Sequence, residues 1–254
     1  MRKARRWPPH CSEWRSNWMN ESLLISSEGR LRRLTLNRPD QRNALNVALC
    51  RSLIEAVREA ASDPAIGVIL LDANGKDFCS GMDLTEALEA DPDEMLPLHQ
   101  ELFSIGAGLR KPMVSAVQGA ALAGGLGLAL NAHLVVASAG ARFGLTEVRV
   151  GLWPYMIFPV VAAAVGSRKA TELALTARIV DVEEAYRIGI VDFVAEREGA
   201  EKLALELAER SAAAIEQGLT FVQQVLELAA KFRREAHNSA EFREGVLAFR
   251  RRGG

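Results

Sequence analysis

Residues 118–154 read Q-G-A-A-L-A-G-G-L-G-L-A-L-N-A-H-L-V-V-A-S-A-G-A-R-F-G-L-T-E-V-R-V-G-L-W-P. Small residues open the stretch, Gly119 to Ala121 and Ala123 to Gly125, so a ligand can approach the backbone there. The apolar run behind them predicts a helix starting at Gly124 and Gly125. The free amides of its first turn point outward and attract negative charge. Leu134–Ala137 has the continuous apolar pattern of a buried strand. Glu147 follows in an uncharged neighbourhood before Val148. A donor pair aimed at one oxygen and one carboxylate in apolar surroundings form a minimal kit for enolate chemistry.

Upstream, Leu23–Ser26 and Leu31–Leu36 flank Glu28-Gly29 and predict a hairpin. Asn46 is placed to cap a helix in which Leu49, Leu53, Val57 and Ala60 recur at helical spacing, and Asp63-Pro64 ends it. Val68–Leu71 reads as a strand buried on both faces. A glycine-containing loop comes next, then a predicted helix over Asp93 to Leu109 and a strand over Met113–Val117. Strand, loop and helix alternate as in right-handed crossover units. Beyond Gly166 the pattern turns mostly helical, with Val182–Arg187, Glu201–Arg210 and Ile215–Ala230 interrupted by a strand at Ile190–Val194. The predicted organisation is a basic extension over residues 1–20, with Met19 as an alternative start, an α/β core over 21–195 and a helical region over 196–254.

The chain has 254 residues, 49% hydrophobic and 25% charged, with net charge -1, enough for a substantial core. That balance supplies no general field for nucleic acid or anionic membrane. No apolar run reaches the length of a transmembrane helix. Three cysteines, Cys11, Cys50 and Cys79, are too few and too scattered for a disulfide framework or a zinc site, which points to a reducing cytoplasm. The first twenty residues carry Arg2, Lys3, Arg5, Arg6 and Arg15 against Glu13 and lack the apolar core of a secretory signal.

F-C-S-G-M-D-L at 78–84 and A-L-A-G-G at 121–125 each follow a predicted buried strand. Loops at the carboxyl ends of adjacent parallel strands meet at one crevice, so the amides of Met82 and Gly124 could converge on one oxygen. These segments, with K-P-M-V-S-A-V-Q-G-A-A-L-A-G-G, F-G-L-T-E, G-L-W-P and E-G-V-L-A-F, resemble the enoyl-CoA hydratase/isomerase (crotonase) family in the correct order over roughly residues 22–252. The resemblance implies an α/β spiral of ββα units with a helical C-terminal trimerisation region, assembled as a homotrimer or a dimer of trimers. It implies an acyl-CoA thioester substrate, with coenzyme A part of that substrate and no separate cofactor.

Carried over by resemblance, Met82 and Gly124 form the oxyanion hole and Glu147 is the catalytic acid or base. Asn43, Ala44 and Leu45, within R-N-A-L, lie along the CoA moiety, and Ser80, Gly81, Asp83 and Leu84 contact its adenine edge. The chain departs from the hydratase pattern at Gly127, where that pattern has a second glutamate. Water addition needs one group to activate water and another to manage the α-proton, whereas a Δ3 to Δ2 double-bond shift needs a single carboxylate. The acid inventory therefore favours isomerisation, with hydration the runner-up and decarboxylation or thioester hydrolysis open. A non-catalytic acyl-CoA or RNA-binding relative is the alternative of another class.

A second departure is G-L-W-P-Y-M-I-F-P at 151–159, where many hydratases carry a glycine-rich loop. Trp153, Tyr155, Met156 and Phe158 are expected to dry the acyl pocket, or to belong to the core or a subunit interface. His99 is expected on a solvated helix face beside Glu94 and Glu101, and His133 in a structural role. Asp83, Glu86 and Glu89 are substitutes for the missing acid by position, with both glutamates expected to face solvent. No metal-ligand spacing, phosphate-gripping loop or nucleophilic triad is present.

Overall fold

The computed structural model describes residues 22–87 and 91–224, with residues 239, 240, 242 and 244. They separate between Arg210 and Ser211 into two compact units.

The first unit begins with β1 (Leu23–Glu28) and β2 (Leu31–Leu36), an antiparallel hairpin turning at Gly29 as its pattern predicts. Helix α1 (Val47–Ser62) follows, and the Asn46 side chain accepts from the Leu49 amide as the expected cap. β3 (Val68–Ala73) is buried along its whole length. α2 (Leu84–Ala87) and α3 (Pro92–Leu102) lead to β4 (Met113–Val117) and β5 (Ala120–Leu122). α4 (Gly124–Ala129), β6 (Leu134–Ala137) and β7 (Arg142–Gly144) complete the stretch that began at Gln118. α5 (Phe158–Val165), α6 (Ser167–Thr176), β8 (Val180–Asp181), α7 (Val182–Ile188), β9 (Phe193–Val194) and α8 (Arg197–Ala208) close the unit.

The strands form a six-stranded sheet in the order β1-β2-β3-β4-β6-β9 and a three-stranded sheet in the order β5-β7-β8. From β2 to β9 all pairings in the larger sheet are parallel, so crossovers deliver successive loops to the same end. Alternation along β3 divides the core: Ile69 and Leu71 join the main cluster with α1, whereas Val68 and Leu70 join a smaller one under Ala200, Ala204 and Ala208 of α8. Asp72, fully buried on β3, pairs with Arg33 of β2 at 2.8 Å and with Arg197 of α8 at 2.6 Å. Arg33 also meets Glu201 of α8 at 2.5 Å. Helix α8 is thereby fastened to the sheet, within the compact unit that runs through Arg210.

Three predicted boundaries shift. The helix expected over Asp93 to Leu109 ends at Leu102, and a 3-10 turn over Ile105–Gly108 follows. There Gly106 packs so tightly on Asn131 that a β-carbon would lie 1.8 Å from its carbonyl oxygen. The strand expected over Ile190–Val194 shortens to β9 because the Ile190 and Val191 amides close the end of α7 on the Ala185 carbonyl. α8 begins at Arg197, a turn before the expected start, and α5, α6 and β8 lack a matching sequence expectation. In the second unit, residues 212–224 are helical, and the rest of the helix expected over 215–230 lies outside the described residues, as do residues 1–20.

Candidate active site

The loop at 78–83 is held between two other segments. On one side the Phe78 and Cys79 amides donate to the Gln118 and Ala120 carbonyls, and the Leu122 amide donates to Cys79. On the other the Leu45 amide donates to Gly81 at 2.8 Å and the Asp83 amide to Leu45 at 3.0 Å. Because Gly81 and Asp83 are committed to Leu45, the intervening Met82 amide faces the opposite way, toward Gly124. A β-carbon built on Gly124 would stand 3.6 Å from the Met82 nitrogen, and one built on Gly81 would stand 3.4 Å from the Gly124 nitrogen. Neither amide has an acceptor among the described residues. Two free N–H groups from separate loops therefore open on one small space.

The Gly124 amide is aimed by its predecessor. Ala123 has φ 49° and ψ -126°, an unusual backbone for a residue with a β-carbon, and its amide is tied to the Gly144 carbonyl at 2.8 Å. Such a conformation costs on the order of 1–3 kcal/mol and persists because the surrounding hydrogen bonds impose it. Gly125 cannot be anything larger, since a β-carbon would lie 2.2 Å from the Cys79 carbonyl oxygen. Helix α4 is only six residues long, so the two amides, rather than a long helix dipole, carry the positive potential.

The amides open into a cavity of ≈330 Å³, lined mostly by apolar side chains, with Glu147 in its wall. Glu147 begins a 3-10 turn, Glu147–Val150, that ends at Gly151 in the left-handed region. Its Oε2 is buried and has no hydrogen-bond partner among the described residues. Burial raises its pKa to about 7, opposed only by its own backbone N–H. Trp153, Tyr155 and Met156 line the same cavity, and Phe158 rests against Trp153 with ring centroids 6.0 Å apart. Trp153, Met156 and Phe158 also pack on the main core, whereas Tyr155 is 75% exposed.

Position 127 is closed. A β-carbon on Gly127 would lie 2.3 Å from Cγ2 of Ile157 and 3.3 Å from the Phe103 ring. The space in which the hydratase pattern has a second glutamate is filled by an isoleucine and a phenylalanine. The substitutes proposed by position do not reach it either. Asp83 pairs with Arg38 at 3.0 Å, and Glu86, half-buried rather than solvent-facing, accepts from the Val47 amide at 2.7 Å. Glu89 lies outside the described residues. Among the described residues Glu147 is the one carboxylate lining the cavity.

Of the positions assigned by resemblance to coenzyme A, Leu45, Ser80 and Leu84 line the cavity with Met82 and Gly124. Asn43, Ala44, Gly81 and Asp83 do not line it and are held in the loops around it. Asn43 is fully buried with φ 53°, and its side chain accepts from the Arg38 amide and donates to the Asn74 and Asp77 carbonyls. The Ala44 carbonyl accepts from the Arg38 guanidinium, and Asp77 bridges the Arg42 guanidinium to the Ala120 amide. Burial disfavours the charged form of Asp77, yet these two donors leave its pKa below the ordinary value. His133 is structural as expected, its Nδ1 accepting from the Met113 amide at 3.1 Å.

His99 corrects the sequence reading. It is 6% exposed and lines the cavity, with its ring centroid 6.1 Å from that of Phe103. Glu94 and Glu101 suggested a wet face, but Met95, His99 and Phe103 recur every fourth position and form the buried side of α3 and its cap. That stripe was the available signal. Ile157, far from Gly127 in sequence, gave none.

The chain belongs to the enoyl-CoA hydratase/isomerase family, which it matches over residues 27–249. It is 35% identical over 192 residues to 2,3-dehydroadipyl-CoA hydratase of Escherichia coli K12, covering 75% of each chain. It is 31% identical over 255 residues to 1,2-epoxyphenylacetyl-CoA isomerase of the same organism, covering 91% of this chain and 96% of that one. The crystal structure of an enoyl-CoA hydratase/isomerase from Marinobacter aquaeolei superposes with TM-score 0.75 at 27% identity, over 91% of this chain and 97% of that one. The α/β architecture is thus that of the crotonase structures, and the protein is an enzyme of this family. Among the described residues no helix is long and apolar enough to cross a membrane.

Proposed function

We propose that the protein is an enoyl-CoA isomerase that moves a Δ3 double bond to Δ2 in an acyl-CoA thioester. The observation that carries this reading is the closure of position 127 by Ile157 and Phe103, which leaves Glu147 as the sole cavity-lining carboxylate among the described residues. The thioester oxygen is held by the Met82 and Gly124 amides, and C2 lies under Glu147. The ionised carboxylate removes a proton from C2, and the electron pair spreads over the dienolate to the oxygen between the amides. The same carboxyl returns the proton to C4, regenerating the carboxylate and leaving the 2-enoyl ester. A base with pKa about 7 matches this exchange near neutral pH. The apolar wall limits the water that would otherwise compete for the intermediate.

Leu45, Ser80 and Leu84 border the path of the CoA moiety in this reading, while the Asn43 and Asp77 clasps keep that path in shape. The family resemblance supports assembly as a homotrimer or a dimer of trimers, which light scattering on the purified protein would establish. The similarity to the Escherichia coli 2,3-dehydroadipyl-CoA hydratase favours a second reading, water addition to a 2-enoyl ester with Glu147 acting alone.

Both readings are tested by offering 3-enoyl- and 2-enoyl-CoA esters in deuterated water. Conversion of the 3-enoyl ester to the 2-enoyl ester supports isomerisation. Accumulation of 3-hydroxyacyl-CoA from the 2-enoyl ester, with no conversion of the 3-enoyl ester, defeats it in favour of hydration.

A further inference from the structure

The cavity wall that α3 contributes is apolar except at His99, flanked by Met95, Leu96 and Phe103. The residue is 6% exposed, its imidazole has no hydrogen bond to the described residues, and its nitrogens are not fully closed off. Buried polar groups are nearly always paired, and one left open toward a cavity is a donor and acceptor held for something that enters it. The protein's own carboxylates do not fill that role. Glu86, which faces His99 from α2, bonds the Val47 amide, Glu101 pairs with Arg58, and Glu94 is exposed. Burial also holds the imidazole below the ordinary histidine pKa despite the field of Glu86, so it stands neutral with one N–H and one lone pair.

Position in the pocket says which part of a ligand it meets. Phe103 reaches within 3.2 Å of where a β-carbon on Gly124 would be, and His99, one helical turn back along α3, lines the same cavity with its ring centroid 6.1 Å from that of Phe103. The thioester oxygen belongs beside Gly124, so a group at His99 belongs to the acyl chain past the reacting carbons. Among the described residues no arginine or lysine lines the cavity, which already holds the Glu147 carboxyl. A second carboxylate there would be desolvated beside a like charge, whereas an uncharged oxygen would not.

We propose that His99 is a specificity residue that hydrogen-bonds an uncharged oxygen, a hydroxyl, ether or carbonyl, on the distal acyl chain of the substrate. The preferred substrate class is therefore an oxygen-bearing enoyl-CoA rather than a plain fatty enoyl-CoA. This inference rests on the acyl-CoA reading of the cavity.

The test compares three 3-enoyl-CoA esters of equal chain length, unsubstituted, terminally hydroxylated and terminally carboxylated, on wild type, His99→Leu and His99→Gln. Wild type is expected to favour the hydroxylated ester in kcat/KM. His99→Leu is expected to reduce the hydroxylated-to-unsubstituted ratio by roughly tenfold to a hundredfold, the effect of losing one buried hydrogen bond. His99→Gln, which can still donate and accept, is expected to restore part of the ratio, an outcome that a packing role would not give. The same ratio is read as Kd for the corresponding saturated esters by calorimetry, which needs no turnover. A His99-dependent Kd ratio without turnover of any ester overturns the assigned reaction and leaves this inference standing. Turnover with a ratio indifferent to both substitutions, or a wild-type preference for the carboxylated or unsubstituted ester, overturns this inference alone. Failure of wild type to bind any of the three overturns both.

Discussion

Ile157 occupies the space that any side chain at position 127 would need, its Cγ2 lying 2.3 Å from where the β-carbon of that residue would be built. Gly127→Ala is therefore an overpacking substitution, even though alanine favours a helix. It is expected to destabilise the fold by about 1–3 kcal/mol in urea titration. Ile157→Ala alone costs roughly 2–4 kcal/mol by leaving a cavity. Combined, the two should cost at least about 1 kcal/mol less than their sum, the sign of a shared volume. Strict additivity would mean that Ile157 moves aside freely and that position 127 is open to an acid after all.

Glu147→Gln should lower kcat by a factor of about 10²–10⁴, the usual worth of a positioned base, with a smaller change in KM. In wild type the carboxylate is the working form, so kcat/KM should rise with pH through an inflection near 7 and then level off. A rate indifferent to this substitution would remove Glu147 from the chemistry.

The same group affects stability with a definite sign. Its folded pKa is raised from 4.5 to about 7. Below the lower value both folded and unfolded states hold the proton and nothing is lost. As pH climbs through the window, the unfolded state ionises while burial keeps the proton on the folded state, so stability falls, and the loss is complete once pH passes about 7. Glu147→Gln should accordingly leave the melting temperature nearly unchanged at acid pH and raise it above neutrality. Scanning calorimetry at several pH values reads the difference, and a uniform shift would contradict burial as the cause.

Asn43→Ala removes three hydrogen bonds from a buried site and places alanine at φ 53°. Loss of buried partners costs about 1–3 kcal/mol. Thermal unfolding should drop by that order, and substrate affinity should fall with it because Asn43 clasps the segment that holds the Met82 loop.

Ala123→Gly should stabilise the protein by about 1 kcal/mol, since glycine adopts the Ala123 backbone without steric cost. Ala123→Val should do the opposite. Equal midpoints for the three forms in chemical denaturation would show that this turn stores no strain.

What could be read in advance was whatever a short window of chain encodes. The hairpin at Gly29, the Asn46 cap, and the strands beginning at Val68, Met113 and Leu134 each carry their pattern within a few residues. The Met82 and Gly124 loops could be paired because parallel strands bring their carboxyl ends together. By contrast, the fit of Ile157 over Gly127 depends on two segments whose sequences do not mention each other. The burial of His99 was masked by the acids beside it, Glu94 exposed and Glu101 paired with Arg58. The strand expected at Ile190 lost its first residues to the closing turn of α7, a competition for the same amides that apolar pattern alone does not reveal.

The sharing of Asp72 between Arg33 and Arg197 bears on how the chain matures during synthesis. A strand finished at Ala73 has to wait for residues 197–208 before its second face is covered and its carboxylate meets its last cation. Until then an unroofed apolar sheet protrudes from the ribosome, the kind of surface that chaperones bind. Translation pauses or truncations upstream of Arg197 should thus be tolerated far worse than the same events downstream of Arg210.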